Sequence, residues 1–588
     1  MSIVHQAPSA AAAAPQRLDG ITLEIIGQRL AETVSTMEVL LFHSGYSTIL
    51  RESNDGSATV LDRNGHVVVG SGSPNHLVAY YHSVQGVLAR HPWATMHEHD
   101  SYLINDPYLG GTHHVPDFAL ITPVFWKGEP LGFCATIAHK SDVGGLVPGS
   151  SGAGSREIFH EGVLIPGIKY WTADGPVDDA VAMVMRNSRT PELVAGDIRA
   201  QIGATRMGTS RMHELVEQYG FEEIVEAMQR LLEISEKRIG DELERWPDGE
   251  AEGESFLDSD GVNPGRRVRI HAKVTKRGRA LTIDFSGTEG QVPGPINLRP
   301  QGSESASLIA LIGFLDPNIS MNGGTQRAVT FISPPGRVTN AEFPTPVNNY
   351  MPTLHLVLAA VQRALLTFQP ARASAPDGFG TGAYTIGYRG TRTGNRGVQY
   401  ELFTPSLGGS AQYDGAFGAM PVIHITPSAS IEILETEFPT RLRRCEPLID
   451  SGGAGEHRGG LGYVREYELF DDASFTLRVG GFSSDSWGVN GGLPGAKGRC
   501  IIDPGTAHEK SIGSLHTTEV PSGTILRIDT SGGSGYGDPK ARDPQLVLDD
   551  VRNGYVSVQA ANDIYGVHIE QGADGTTSIR IPLGEATC

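Results

Sequence analysis

The sequence predicts a multidomain α+β protein with a helical N-terminal half and a glycine-rich, β-rich C-terminal half. Three observations support this class. Apolar residues recur at steps of three and four over residues 21–41 and 191–246, the pattern of amphipathic helices. After residue 265 apolar and polar residues alternate, which is typical of strands. From residue 377 onward, strand-like segments are separated by clusters of glycine.

The length of 588 residues is too great for a single hydrophobic core and indicates several domains. We expect a disordered tail over residues 1–18 and an α/β domain over 19–250. A central α+β domain is expected over 251–376 and a β-rich domain over 377–588. The stretch 248–265 is acidic, contains glycine and proline, and is predicted to mark the first internal boundary.

The composition limits the kinds of partner. Asp and Glu number 67 against 47 Lys and Arg, a formal charge of −20, which argues against a nucleic-acid surface. The four cysteines are scattered without a disulfide spacing, which favours a reducing compartment, the cytoplasm. The N-terminus lacks the pattern of a signal peptide, and no apolar run is long enough to span a bilayer. We therefore expect a cytoplasmic protein with neither a membrane nor a nucleic-acid partner.

The N-terminal half is predicted to combine helices with short hairpins. Asp19 or Thr22 is placed to cap the first helix, and Gly208 and Gly220 punctuate the last helical region. The predicted elements are a helix over 21–41, strands over 58–61 and 66–69 joined by an Asn-Gly turn, a helix over 76–88, strands over 102–105, 118–126 and 130–138, and a helical region over 191–246.

The second half is predicted to be richer in strands. The predicted elements are a hairpin over 268–285, a helix over 351–368 and a helical pattern over 543–561. The 74 glycines lie mostly in short clusters without a fixed period, so they indicate tight turns and close backbone approaches rather than a repeat array. Two G-x-G-x-G runs lack the strand–turn–helix context of a phosphate cradle, and the sequence contains no P-loop.

Residues 104–145 carry the densest chemistry in the chain. Two polar clusters flank the apolar hairpin predicted over 118–138, and pairing of its strands would bring the clusters together. His114, Asp117 and His139 would then converge. Two imidazoles and one carboxylate with open coordination positions are what a catalytic divalent metal needs, and this mixed set suits Mn or Zn. The N-terminal half is therefore predicted to be the metal-bearing half.

Several neighbouring residues allow two interpretations. His113 or His114 faces the metal, because neighbours in an extended loop point opposite ways. Asp106 either orients an imidazole or forms an Asx-turn before a proline. Asp142, close to His139 and Lys140, belongs either to an acid/base cluster or to a salt-bridged turn.

Two flanking segments also allow two interpretations each. The charged residues Arg51, Glu52 and Asp55 form either a solvated turn or a charged wall of the site. The segment 147–170, rich in small residues at its start, is either a loop that lets a substrate or a lid approach or an irregular surface loop.

The motifs NDPYLGGTHHVPD and AHKSDVGG closely resemble those of the B-subunit family of ATP-dependent hydantoinases. Further matches, RESNDGSATVLDRNG, GDIRAQIGATRMG and DFSGTEGQVPGPIN among them, follow in order over about residues 19–566. That family also takes in the C-terminal part of 5-oxoprolinases, caprolactamase B subunits and the large subunits of acetone and acetophenone carboxylases. The resemblance therefore covers nearly the whole chain.

The resemblance implies a metal-binding subunit of an ATP-dependent cyclic amide hydrolase that opens a lactam, hydantoin or 5-oxoproline-like ring. It places a divalent metal on His114, Asp117 and His139. The chemistry of the donor set favours Mn or Zn, and His139, Asp142 or Asp106 is a candidate to carry a proton. The resemblance also implies a hydantoinase A-like partner of actin fold that binds most of the ATP and phosphorylates the carbonyl oxygen, in a heterotetramer. The alternatives are a subunit of a ketone carboxylase and a non-catalytic scaffold subunit whose metal only joins two loops.

Overall fold

The computed structural model describes residues 18–263, 265–394, 396–418, 426–571 and 577–579. The tail predicted over residues 1–18 lies outside this range except for its last residue. No helix in the described part of the chain is long and apolar enough to cross a bilayer. The predicted α+β class is confirmed by the helices and the five separate sheets of these residues.

A seven-stranded sheet forms the centre of the N-terminal part. Its strands are β1 (Gly56–Asp62), β2 (Val67–Gly72), β3 (Ser101–Ile104), β4 (Asp117–Trp126), β5 (Glu129–His139), β6 (Pro166–Thr172) and β7 (Gly175–Pro176). The strand order is β2-β1-β5-β4-β3-β6-β7, and every neighbouring pair is antiparallel. The two predicted hairpins are confirmed, and the longer one, β4–β5, lies at the middle of the sheet.

Six helices accompany this sheet. They are α1 (Gly20–His43), α2 (Thr48–Arg51), α3 (Pro74–Arg90), α4 (Asp178–Arg186), α5 (Pro191–Tyr219) and α6 (Phe221–Leu243). The Asp19 carboxylate accepts hydrogen bonds from two backbone amides and caps α1, as predicted. The apolar stripes of α1, α5 and α6 pack on one face of the sheet, and α3 packs on the other. The sheet is therefore buried on both faces.

The two glycines of the last helical region behave differently. Gly220 separates α5 from α6 with a φ of 101°, a conformation that favours glycine. Gly208 does not interrupt α5, contrary to its expected role as punctuation. A Cβ at position 208 would lie 2.5 Å from the Met37 sulfur and 3.0 Å from that of Cys134, so this glycine allows α5 to approach α1 and the sheet.

A four-stranded sheet and three helices follow. They are β8 (Gly249–Leu257), β9 (Val268–Arg277), β10 (Ala280–Asp284), β11 (Val329–Ile332), α7 (Pro300–Ile312), α8 (Gly323–Arg327) and α9 (Tyr350–Leu365). The stretch 248–265, predicted to mark a boundary, contains β8, so the second sheet begins inside it. Helix α7 was not predicted because it is buried all round and shows no amphipathic period.

The C-terminal part holds two facing sheets and a terminal hairpin. Its strands are β12 (Gly382–Arg389), β13 (Arg396–Phe403), β14 (Thr440–Pro447), β15 (Tyr463–Leu469), β16 (Ala473–Arg478), β17 (Arg499–Ile502), β18 (Lys510–Ile512), β19 (Leu515–Val520), β20 (Ile525–Asp529), β21 (Ile569–Gln571) and β22 (Thr577–Ile579). Strands β13-β12-β16-β19 form one sheet and β14-β15-β20-β17-β18 the other, with one apolar core between them. The helices are α10 (Ile431–Glu437), α11 (Pro544–Arg552) and α12 (Val558–Asp563).

The glycine clusters of this part serve close backbone contact. A Cβ at Gly459 would lie 1.9 Å from the carbonyl oxygen of Gly533, and one at Gly533 would lie 1.9 Å from that of Leu407. No side chain fits between these segments. The clusters therefore allow close contact between neighbouring loops, as the composition predicted. The helical pattern over 543–561 forms two short helices, α11 and α12, rather than one.

Candidate metal centre

The β4–β5 hairpin brings the three predicted ligands together. Asp117 is the first residue of β4 and His139 the last of β5, and the two are paired directly across the ladder. His114 lies in the loop before β4, with its Nε2 at 3.1 Å from Asp117 Oδ1. One ligand atom from each residue lies within 4.8 Å of the other two. Each of the three side chains is about 2% exposed, so the cluster is closed to bulk water.

Asn348 fixes the orientation of the His114 ring. The Asn348 amide nitrogen donates to the Ser150 carbonyl at 2.6 Å, so its oxygen faces His114. That oxygen lies 2.7 Å from His114 Nδ1 and accepts its proton. The tautomer follows from this network, and it leaves the lone pair of Nε2 facing the Asp117 carboxylate. A lone pair opposed to a carboxylate is repulsive unless a cation lies between them.

His139 and Asp117 carry the other free lone pairs. Both ring nitrogens of His139, and Oδ2 of Asp117, are buried without a hydrogen-bond partner among the described residues. Burial, reinforced by nearby positive charge, holds the pKa of His139 well below its usual value, so the ring is neutral. Asp117 Oδ1 lies 3.1 Å from His114 Nε2, and the tautomer of His114 leaves no proton between these two atoms. A carboxylate and two imidazoles with converging lone pairs suit a divalent cation.

The structure separates the roles of the two adjacent histidines. His113 Nε2 donates to the Asn75 carbonyl at 2.7 Å, and its ring stacks on Tyr350 at 5.1 Å between centroids. Burial lowers the pKa of His113 to about 4. Of the two, only His114 belongs to the cluster with Asp117 and His139. The geometry therefore favours His114 as the ligand.

Asp106 and Asp142 have structural contacts. Asp106 Oδ1 accepts from the Tyr108 amide at 2.8 Å, which is the Asx-turn alternative, and burial raises its pKa. Asp142 is fully buried, and its oxygens accept from the Gly144 and Gly149 amides and from Arg189. It forms the salt-bridged turn. A role of Asp106 or Asp142 in proton transfer stays a prediction.

The segment 147–170 is neither a free lid nor an irregular surface loop in this structure. Ser150 and Ser151 are fully buried. The Ser150 hydroxyl accepts from the Val143 amide, while its carbonyl holds Asn348. Glu161, at the end of a short 3₁₀ turn, accepts from the Val347 and Asn348 amides. The segment thus supports the residue that orients His114.

Other buried polar groups surround the cluster, and few of them could be predicted from the sequence. His76 Nε2 lies 3.9 Å from Asp117 Oδ2, and His76 Nδ1 is joined through Ser57 to the Tyr80 hydroxyl. An amphipathic helix pattern was the only sign of His76, because its neighbours are apolar or polar at ordinary helical spacing. Long-range folding, not sequence proximity, places it beside the ligands.

Asp55 and Lys140 are buried titratable groups near the cluster. Lys140 Nζ donates to Gln201 Oε1 at 2.8 Å, and burial lowers the pKa of Lys140 to about 8. Asp55 is 5% exposed, and burial, with the nearby charge of Asp117, raises its pKa well above the usual value. Asp55 is thus buried beside the site rather than part of a solvated turn, whereas Arg51 pairs with Glu52 and Glu437 near the surface.

The C-terminal sheet covers the cluster from the other side. Tyr400 of β13 lies over His139 at 4.4 Å between ring centroids. Its hydroxyl accepts from Arg478 Nη2 of β16 at 2.6 Å. Tyr350, at the start of α9, contacts the His114 ring edge-on at 4.9 Å. Residues from three parts of the chain therefore enclose the ligands.

These features define a class of protein: a mixed α+β chain with a buried two-histidine, one-carboxylate cluster suited to a divalent metal. The model of the Hydantoinase B/oxoprolinase family matches residues 19–539, and the chain belongs to that family. The caprolactamase subunit beta of Pseudomonas jessenii is 30% identical over 572 residues, which cover 94% of this chain and 97% of that protein.

Two further comparisons extend this result. The 5-oxoprolinase 1 of Arabidopsis thaliana is 28% identical over 567 residues, 91% of this chain and 43% of that longer protein. The crystal structure of the ATP-dependent caprolactamase from Pseudomonas jessenii matches with a TM-score of 0.86 at 27% identity, covering 95% of this chain and 98% of that one. A nucleotide-free acetone carboxylase structure also gives 0.86, at 22% identity over 95% of this chain and 81% of that one, and shows the shared fold.

Proposed function

We propose that this chain is the metal-binding B-type subunit of an ATP-dependent hydrolase that opens a cyclic amide. The substrate class is a lactam, a hydantoin or a 5-oxoproline-like ring. One observation carries the proposal: buried ligand atoms of His114, Asp117 and His139 converge, and Asp117 Oδ2 and both ring nitrogens of His139 have no hydrogen-bond partner among the described residues. Membership of a family whose relatives are named caprolactamase and 5-oxoprolinase supports the reaction class.

The proposed metal is Mn or Zn. Two neutral imidazoles and one carboxylate, without sulfur, suit either ion. Three protein ligands leave coordination positions for substrate or water, which is the pattern of a catalytic site. When bound, the ion supplies a Lewis acid that polarises a carbonyl oxygen or acidifies a water molecule.

The chain's own residues prepare the site for that ion. Asn348 keeps the proton of His114 on Nδ1 and leaves Nε2 free. Burial keeps His139 neutral, so that its nitrogen competes for a metal rather than for a proton. Tyr350 and Tyr400 exclude water from the ligand rings, and charge interactions inside such a site are stronger than in water.

ATP is proposed to bind to the partner subunit. An amide resists hydrolysis because resonance lowers the electrophilicity of its carbonyl carbon, and phosphorylation of the oxygen creates a leaving group. The sequence of this chain contains no P-loop. We therefore place the nucleotide on a hydantoinase A-like subunit of actin fold, in a cytoplasmic heterotetramer of the two chains.

Reconstitution with that partner tests the proposal. Ring opening of hydantoin, caprolactam and 5-oxoproline should be measured with ATP, metal and both chains, alongside ATP turnover by this chain alone. We expect ring opening of at least one substrate only when both chains are present, and no useful ATP turnover by this chain. Robust ATP hydrolysis without the partner would contradict the division of labour.

The ketone carboxylase alternative is tested in the same reconstitution. Its support is the fold shared with acetone carboxylase, at an identity too low to carry the reaction. Labelled bicarbonate supplied with acetone or acetophenone should leave no label in an organic acid product if the chain serves a cyclic amidase. Label in that product, with no ring opening, would replace the proposed reaction by a carboxylation.

A further inference from the structure

Arg478 is a buried guanidinium without a carboxylate partner. It is 3% exposed, and it forms no salt bridge with an Asp or Glu of the described residues. Its hydrogen bonds go to neutral acceptors, the Tyr400 hydroxyl at 2.6 Å and Asn349 Oδ1 at 3.4 Å. Its Nε has no partner among the groups that the structure describes. Buried charges are normally paired, because water no longer solvates them.

The position of Arg478 links it to the ligand cluster. Its guanidinium carbon lies 5.1 Å from the centre of the Tyr400 ring, and the His139 ring lies 4.4 Å from that centre. One tyrosine therefore contacts both Arg478 and a predicted metal ligand.

A bound water does not account for this arrangement. A cavity of about 20 Å³ borders Arg478 and Asn349 and has room for a water. Such a water could accept from Arg478 Nε and from Asn349 Nδ2, which is also without a partner among the described residues. It would not offset the charge of the guanidinium, since a water molecule is neutral.

The surroundings of Arg478 leave its charge without a counter-ion among the described residues. Its Nε and Asn349 Nδ2 are buried without a hydrogen-bond partner there. An anionic ligand at this place would offset the guanidinium charge and accept from these donors. A guanidinium presents two parallel N–H groups that match the oxygens of a phosphoryl group.

We propose that Arg478, together with the Tyr400 hydroxyl that it holds, binds the phosphoryl oxygens of the activated substrate. Tyr400 accepts from Arg478, so its own O–H remains available to donate to an oxyanion. The inference rests on the proposed function for the origin of the phosphoryl group. It assigns substrate recognition to the C-terminal sheet and metal binding to the N-terminal hairpin.

Titration of the full chain with inorganic phosphate tests the proposal. Binding should be measured by calorimetry with and without Mn²⁺ for wild type, Arg478→Met, Arg478→Lys and Tyr400→Phe. We expect Arg478→Met to weaken phosphate binding at least about tenfold, with Arg478→Lys and Tyr400→Phe between it and wild type. Arg389→Met is the matched control, because Arg389 is an exposed arginine at the end of β12 in the same sheet.

Thermal unfolding separates recognition from a structural role. Phosphate should raise the Tm of wild type and leave that of Arg478→Met unchanged. Without phosphate, Arg478→Met should be as stable as wild type or more so, because it removes an unpaired buried charge. If Arg478→Met does not fold, Arg478→Lys is used for the test. Lysine keeps the positive charge but lacks the two parallel N–H groups of the guanidinium.

Each outcome decides between the possibilities. Wild-type phosphate affinity in both Arg478 variants would overturn the inference and leave the metal site standing. Phosphate binding that depends on Arg478 in a chain that binds no metal would keep the inference and remove the proposed function. An Arg478-dependent response to acetate or bicarbonate, but not to phosphate, would assign the arginine to a carboxylate or to bicarbonate and overturn the phosphoryl assignment.

Discussion

The metal ligands and the residues that cover them come from regions of different character. His114, Asp117 and His139 belong to one hairpin and the loop before it, so β-sheet register alone brings them together. Tyr400 and Arg478 reach the same place from β13 and β16 of another sheet. The hairpin is a local unit, whereas the cover depends on how distant parts of the chain pack. Ligand identity and site environment are thus separable properties.

The strands that carry the covering residues Tyr400 and Arg478 also connect the central and C-terminal parts. Tyr400 and Leu402 share one apolar core with α7, α9 and the second sheet. A change in that core therefore reaches the environment of His139 without touching a ligand. The comparison predicts that substitutions of the hairpin ligands abolish metal binding. Substitutions of Tyr400 and Arg478 should instead change the binding of ligands beside the metal.

Replacement of His139 by Ala should give the largest effect. The variant loses one of three ligands, so metal content in the assembled complex should fall to background and turnover by at least about a hundredfold. The fold should persist, since β5 keeps its ladder hydrogen bonds. Elemental analysis, circular dichroism and ring-opening rates check these outcomes.

His213→Ala is the matched control for that experiment. His213 contacts the Phe125 carbonyl on the same sheet and takes no part in the cluster. A scaffold role for the metal predicts loss of assembly with His139→Ala, rather than loss of activity in an intact complex. Retention of both metal and full activity would remove His139 from the site.

The sequence could predict the hairpin and its ligands because their signals are local. Alternating apolar residues define β4 and β5, and His114-x-x-Asp117 lies at the edge of the first strand. The residues that orient the ligands and the fully buried helix depend on tertiary packing, so the sequence did not predict them. Asn348 lies in a loop without periodicity, and α7 is buried on every face, so neither has a pattern that a single sequence reveals. Asp142 shows a further limit, because the sequence left an acid/base cluster and a salt-bridged turn equally open, and only the structure shows its contacts with Gly144, Gly149 and Arg189.

Replacement of Asn348 by Ala sharpens the comparison with an intermediate effect. The variant removes the acceptor that holds the proton of His114 on Nδ1, and loss of such a partner weakens metal binding by roughly 10–100-fold. Tyr400→Phe keeps the ring over His139 and should leave metal affinity near that of wild type. Competition with a metallochromic chelator measures both. Equal weakening by the two variants would show that the hairpin and its cover do not act separately.

The smallest expected effect is a pH dependence that arises at Glu161. Burial raises the pKa of this carboxyl to about 8, against 4.5 without burial, although the Asn348 and Val347 amides and Arg478 oppose the rise. Between these pH values the unfolded chain is ionised at this position while the folded chain keeps its proton. The unfolded state then binds fewer protons, so this group makes the folded protein less stable as pH rises from 4.5 to 8. The slope is at most about 1.4 kcal/mol per pH unit.

Glu161→Gln removes that titration. Its unfolding free energy relative to wild type should therefore improve steadily between pH 5 and pH 8 and level off above pH 8. Denaturant unfolding of metal-free protein measures the difference without a contribution from metal binding. Glu129→Gln, at the exposed turn between β4 and β5, controls for the same chemical change. A variant-to-wild-type difference that stays flat from pH 5 to pH 8 would show that Glu161 is ionised in the folded chain, and that the loop carrying Asn348 is held by a charged carboxylate.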